Sequence, residues 1–246
     1  MAATIDRITA RPQRILMVAA NPSISTTLSW PVGFWASELT HPYYELTEAG
    51  YEIVIASPEG GKIELDGLSD PRETSGYSAH DLISLGFLNT PSLASLLETT
   101  RPLAGISHAE FDAILVCGGQ SPMFTFRDNT TLKSLLASFY EAEKPTVALC
   151  HGVAALIDVT LTDGSFLIAG KTMTGFANVE EAIADSIVGQ QVMPWRIEDA
   201  ARERGANFVQ GGAWKPFAIR DGRLITGQQQ YSGAVVARQL IAALGA

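Results

Sequence analysis

Thr146-Val147-Ala148-Leu149-Cys150-His151-Gly152-Val153-Ala154-Ala155 is the stretch on which the reading of this chain turns. Residues 145–149 read as a short buried strand, Cys150 falls at an abrupt turn, and small residues over 153–158 open a helix. A strand that breaks at a nucleophilic side chain and runs into a helix is the signature of a nucleophile elbow. In an open α/β sheet such a turn stands at the carboxyl edge of the strands, where ligands bind. A helix N-terminus behind the sulfur is expected to lower the thiol pKa from about 8.5 and leave an exposed, activated thiolate. His151 shares the turn with Cys150, so it can take or return a proton in the same cleft.

Outward from the elbow, strand and helix signals alternate. Short apolar runs predict strands over 15–20, 52–57 and 113–117, with two more near the C-terminus over 217–219 and 224–226. Helical spacing of apolar residues predicts helices over 34–49, 91–98, 129–143, 197–204 and 231–244, and the pair Glu180-Glu181 opens another. Residues 58–80, rich in Gly, Pro, Ser and Asp, read as a long excursion. Repeated β–α alternation argues a mostly parallel central sheet covered on both faces, a three-layer sandwich. No internal repeat or linker interrupts it, so residues 1–13 are taken as an N-terminal arm and 14–246 as one domain.

Composition removes several function classes. The chain has 246 residues, 46% hydrophobic and 17% charged, which suits a globular domain rather than a disordered one. Its net charge of −9 and the lack of any Lys/Arg run argue against nucleic acid or an anionic membrane as partner. No apolar run reaches ~18 residues, and no apolar leader precedes Ile15. Two cysteines, Cys117 and Cys150, do not make a disulfide framework. A reducing, cytoplasmic setting follows as the expectation, and Asn129-Thr130-Thr131 is then a chance sequon.

Other residues carry weaker signals. Gly118-Gly119 ends a strand at the same sheet edge, and its N–H groups either line an oxyanion site with the amide of His151 or simply make a turn. Cys117 lies inside an apolar strand and reads as inert. Ala169-Gly170-Lys171-Thr172 imitates the end of a phosphate loop without its glycines, and no Gly-x-Gly-x-x-Gly follows a strand, so no nucleotide cofactor is expected. No metal is expected either: there is no paired Cys-x-x-Cys, and His108-Ala109-Glu110 reads as a solvated loop. Trp30, Trp35, Tyr43, Tyr44, Phe124 and Phe126 either wall a pocket or pack in the core, and core packing is the default for most of them.

Read together, several ordered segments resemble a known family. They are Glu38-Leu39-Thr40-His41-Pro42, Ala148 to Gly152, Gly175-Phe176-Ala177-Asn178-Val179-Glu180-Glu181, and Asp221 to Gln228. The pattern is similar to the ThiJ/PfpI superfamily, and within it to the heat-shock-chaperone or glyoxalase III branch. The resemblance implies a flavodoxin-like, class I glutamine-amidotransferase-like fold and a homodimer. It implies a cysteine-dependent lyase or hydratase that turns a small aldehyde, methylglyoxal, into lactate without glutathione or another cofactor. Carried over, Cys150 is the nucleophile, His151 its partner and Glu38 the acid beside the thiol. Glu181 orients the histidine, with Glu180 as the alternative register. Gly118, Gly119 and Gln120 fall in the oxyanion and substrate pocket. Two segments depart from the relatives: Gln120-Ser121-Pro122 replaces a His-Gly, and Gly227-Gln228-Gln229-Gln230 replaces a Gly-Gln-Asn-Pro. The departures leave two other readings open. One is a cysteine hydrolase or hydratase for an amide, peptide or isocyanide. The other is a stress-responsive chaperone or redox sensor whose Glu38 stabilises an oxidised Cys150.

Overall fold

The computed structural model describes residues 12–245; most of the expected N-terminal arm lies outside them. The strands of the main sheet, numbered in chain order, are β1 (Arg14–Val18), β2 (Glu52–Ser57), β3 (Arg101–Pro102), β4 (Ala113–Val116), β5 (Thr146–Leu149), β6 (Ala218–Asp221) and β7 (Leu224–Gly227). The principal helices are α1 (Ala36–Glu48), α2 (Leu82–Asn89), α3 (Thr130–Glu141), α4 (Asn178–Val188), α5 (Ile197–Glu203) and α6 (Gly233–Leu244). The seven-stranded sheet runs β6-β7-β5-β4-β1-β2-β3. Every neighbouring pair is parallel except the edge hairpin β6–β7.

Continuous apolar strands and two-sided cover go together. In β1 the period-two alternation sends Ile15 and Met17 to one face and Leu16 and Val18 to the other, and all four are fully buried. One face packs against Leu39 and Leu46 of α1, Phe87 of α2, and Val236 and Leu240 of α6. The other packs against Leu132, Leu136 and Phe139 of α3 and Ile197 and Ala201 of α5. This is the expected flavodoxin-like three-layer sandwich. Tyr44 is a correction to the aromatic assignment: half of it is exposed, because α1 turns that face to solvent.

Two elements differ from the sequence-based expectation. The α-helix expected after the elbow is a 3-10 segment, Cys150–Leu156, whose seven residues are all buried. Its close packing under β4 favours the tighter coil. The second is α2: its stretch Leu-Ile-Ser-Leu-Gly-Phe-Leu-Asn has no amphipathic period to predict a helix, and Asp81 caps it by accepting from the Ser84 N–H at 3.1 Å.

The sheet order decides where the chemistry gathers. β5, β4 and β1 are adjacent, so their carboxyl ends deliver Cys150, Gly118-Gly119 and the segment leading into α1 to one edge. Chain direction reverses its progress across the sheet beside β1, the crevice where open α/β sheets bind ligands.

Candidate active site

Cys150 begins where β5 stops, and its backbone is forced into the left-handed region at φ 54. A non-glycine residue there is strained, and surrounding packing must hold it. The strain turns the side chain off the strand and toward α1. Gly118 makes the approach possible: a Cβ there would fall 2.8 Å from the Leu149 carbonyl oxygen and collide with the Glu38 carboxyl.

Glu38 lies in the first turn of α1 and is fully buried. Its Oε2 accepts the Gly118 N–H at 2.8 Å, and its carboxyl lies against the Cys150 thiol. Oε1 is buried without a well-aligned hydrogen bond. Burial pushes the carboxyl up to about 8, despite the thiol and the Gly118 N–H, which favour its ionised form.

The thiol corrects the sequence-based expectation. Cys150 is 3% exposed rather than open, and burial, followed by the neighbouring Glu38, holds its pKa well above the ordinary thiol value. The amides of His151 and Gly119 point at the sulfur and act in the opposite direction, without overcoming burial. In the resting site at neutral pH the pair is therefore a thiol and a carboxylic acid, waiting to lose one proton.

On the far side of the sulfur, His151 Nδ1 lies 3.8 Å from Sγ. Its Nε2 meets Glu181 Oε1 at 3.1 Å. Glu181 Oε2 is 3.1 Å from Arg196 Nη1, and Arg196 also pairs with Asp185. Phe176 stacks on the imidazole with centroids 4.2 Å apart. The Nε2–Glu181 contact fixes the ring so that Nδ1 faces the sulfur. Glu180 is occupied elsewhere: its Oε1 accepts from the Trp214 N–H and the Gln228 side chain, and its Oε2 accepts from the Ala177 N–H. Glu181, not Glu180, is the histidine's partner.

The three pocket residues divide. Gly119 directs its N–H at the sulfur, whereas the Gly118 N–H is spent on Glu38 and is not a free oxyanion donor. Gln120 accepts from the Trp30 indole N–H at 3.1 Å and gives its own amide to Asp66. Cys117 is fully buried, and burial raises its thiol. Among the described residues no group of three or more His, Cys, Asp or Glu is placed to hold a metal ion.

The model of the DJ-1/PfpI family matches residues 28–243. The chain belongs to the DJ-1/PfpI family. It is 29% identical to a glutathione-independent glyoxalase of Schizosaccharomyces pombe, over 93% of this chain and 94% of that one. The Rapid Encystment Protein of Francisella tularensis superposes with a TM-score of 0.85 at 30% identity, covering 95% of this chain and all of that one. Glyoxalase III of Candida albicans shares the fold, with a TM-score of 0.79 at 23% identity over 94% of this chain and 97% of that one.

Around the elbow of this DJ-1/PfpI chain, sequence reasoning missed Asp66, Phe176 and Arg196. Phe176 sat in a quoted motif, but nothing marked its ring as the imidazole's stacking partner. Asp66 and Arg196 lie just before short helices, among residues that resemble ordinary surface polar groups.

Proposed function

We propose that this DJ-1/PfpI protein is a glutathione-independent glyoxalase that converts a 2-oxoaldehyde, methylglyoxal, to a 2-hydroxy acid, lactate. The observation that carries the proposal is the Glu38 carboxyl lodged against the Cys150 thiol, with the Gly119 and His151 amides on the same sulfur. Relatives named as glyoxalases along nearly the full length of the chain support it.

Catalysis starts when Glu38 loses its proton. With the carboxyl near 8, about a tenth of the sites are in this form at pH 7. The Glu38 carboxylate takes the thiol proton as sulfur adds to the aldehyde carbon. The oxyanion formed lies against the Gly119 and His151 amides and is protonated to a hemithioacetal. Glu38, again a carboxylate, removes the hydrogen from the carbon bearing sulfur and gives an enediolate. The hydroxyl proton on that carbon passes to the neighbouring oxygen, Glu38 returns its proton to the neighbouring carbon, and collapse leaves a thioester of the 2-hydroxy acid. His151 Nδ1, steadied by Glu181 and Arg196, takes a proton from water as its oxygen attacks the thioester. The C–S bond breaks, and lactate and the thiol are released. No redox partner enters, because one carbon is oxidised as its neighbour is reduced. Burial serves the enediol, which water would otherwise divert.

The Cys150 thiol must stay reduced to act, so the reading places the protein in a reducing, cytoplasmic setting. It also takes the protein to be a homodimer. Light scattering should then give twice the 26.3 kDa chain mass, and a single-chain mass contradicts it. Purified protein given methylglyoxal without glutathione should form lactate, and Cys150→Ala should abolish this. Lactate formation that survives the substitution refutes the proposal.

A further inference from the structure

Asp66 belongs to the long excursion after β2, far in sequence from the elbow, yet it is 1% exposed. Its Oδ1 accepts the Gly33 N–H at 2.7 Å, and its Oδ2 accepts the Gln120 N–H at 2.6 Å. Its own N–H donates to the Phe34 carbonyl at 2.8 Å. One carboxylate thus ties together the segment that leads into α1, which carries Glu38, and the turn after β4, which carries Gly119. Cross-bonds from the Trp35 N–H to the Gly118 carbonyl and from the Ser121 N–H to the Gly33 carbonyl run through the same junction.

Two converging N–H donors require an acceptor on both sides. An ionised carboxylate supplies it; a carboxylic acid keeps only a weak acceptor on its hydroxyl oxygen, and an amide presents a donor to one of the two N–H groups. We propose that ionised Asp66 is a positioning residue for the glyoxalase site, clamping the Gly33 and Gln120 amides so that Glu38 and the Gly119 N–H both bear on the Cys150 sulfur. This inference rests on the function proposed above, but the clamp itself is observable without turnover.

The charged and titratable groups that act on Asp66 are His151, which favours its ionised form, and Glu38, which repels it. Burial raises Asp66 to about 6, so acidification through that pH weakens one arm of the clamp. Full activity then needs two proton losses: one from Asp66 and one from the Cys150–Glu38 pair, near 8. The logarithm of kcat/KM should rise with slope one between 6 and 8 and steepen toward slope two just below pH 6.

Two measurements test the clamp. In the wild-type protein, the amide proton shifts of Gly33 and Gln120 should titrate together near pH 6, whether or not the protein turns over methylglyoxal. Two amides that do not move between pH 5 and 7 overturn the clamp, whereas absent turnover with titrating amides sinks only the assigned activity. In Asp66→Asn, kcat should fall on the order of tenfold to a hundredfold. The slope-two region should vanish, and the upper break should move below that of the wild type because Glu38 loses a repelling neighbour. The upper break moves with the lost charge whatever the role of Asp66, so the slope decides: a wild type without the steeper region below pH 6, a steeper region that persists in Asp66→Asn, or an unchanged kcat contradicts the proposal.

Discussion

At the scale of single residues, the site trades stability for a base held in apolar surroundings. A free glutamate ionises well below neutrality, while folded Glu38 holds its proton to about 8. Because its folded pKa is raised, this group stabilises the fold fully below its unfolded value, and the contribution is lost as pH rises through about 8. Glu38→Gln removes the buried charge and keeps an acceptor for the Gly118 N–H. It should gain about 1–3 kcal/mol of stability at pH 8, seen as a higher melting temperature, while losing turnover. An equal or lower melting temperature there would mean the carboxyl is not desolvated as described. His151→Ala should block the second half of the reaction, leaving an acylated Cys150 in intact-protein mass spectra after methylglyoxal is added. Spectra with only free thiol would take the thioester step from His151. Cys150 and His151 are legible in the sequence because the elbow is local. Glu38 and Glu181 needed the family resemblance, since a helical glutamate looks the same exposed or buried. Asp66 was not legible at all: its two amide partners lie 33 and 54 residues away in the chain. The thiol's pKa was misjudged because a dipole argument from local sequence does not register how deeply the sheet edge is covered.

Among the elements, the elbow and its supports behave as one unit. The 3-10 segment after β5 passes so near β4 that a Cβ on Gly152 would lie 2.6 Å from the Cys117 carbonyl oxygen. Backbone cannot yield there as a flexible side chain does. Gly152→Ala should therefore cost about 1–3 kcal/mol by denaturant unfolding and shift Cys150 enough to lower kcat. An alanine variant with wild-type stability would show that the segment is looser than its packing indicates. The strands were readable because apolar runs of four to six residues between helical patterns fit little else. The switch from α to 3-10 was not, since hydrogen-bond spacing inside a short buried coil is set by what packs over it. α2 escaped for a related reason: its apolar residues show no one-sided period, and Tyr43 edge-on to Phe87, with centroids 5.2 Å apart, belongs to tertiary packing.

For the molecule as a whole, a single sheet recruits strands from both ends of the chain. β1 opens the described residues and β7 lies close to their end, yet only β4 and β5 separate them. On one face α1 and α2 from the first half pack beside α6 from the second. We propose that residues 14–246 form one cooperative domain, which should melt in a single calorimetric transition whose van't Hoff and calorimetric enthalpies agree. Two resolved transitions would divide it. The sheet order also explains why the site was only partly visible beforehand: β–α alternation announces a parallel sheet, but not that β1, β4 and β5 are neighbours. That adjacency brings an acid from α1, a glycine turn and a cysteine elbow together. Whether they do the chemistry assigned to them is decided most directly by following lactate formation from methylglyoxal in thiol-free buffer, with wild type, Cys150→Ala and Glu38→Gln side by side. The account predicts lactate from the wild type alone, with both folded variants silent; lactate from either variant at the wild-type rate would contradict it.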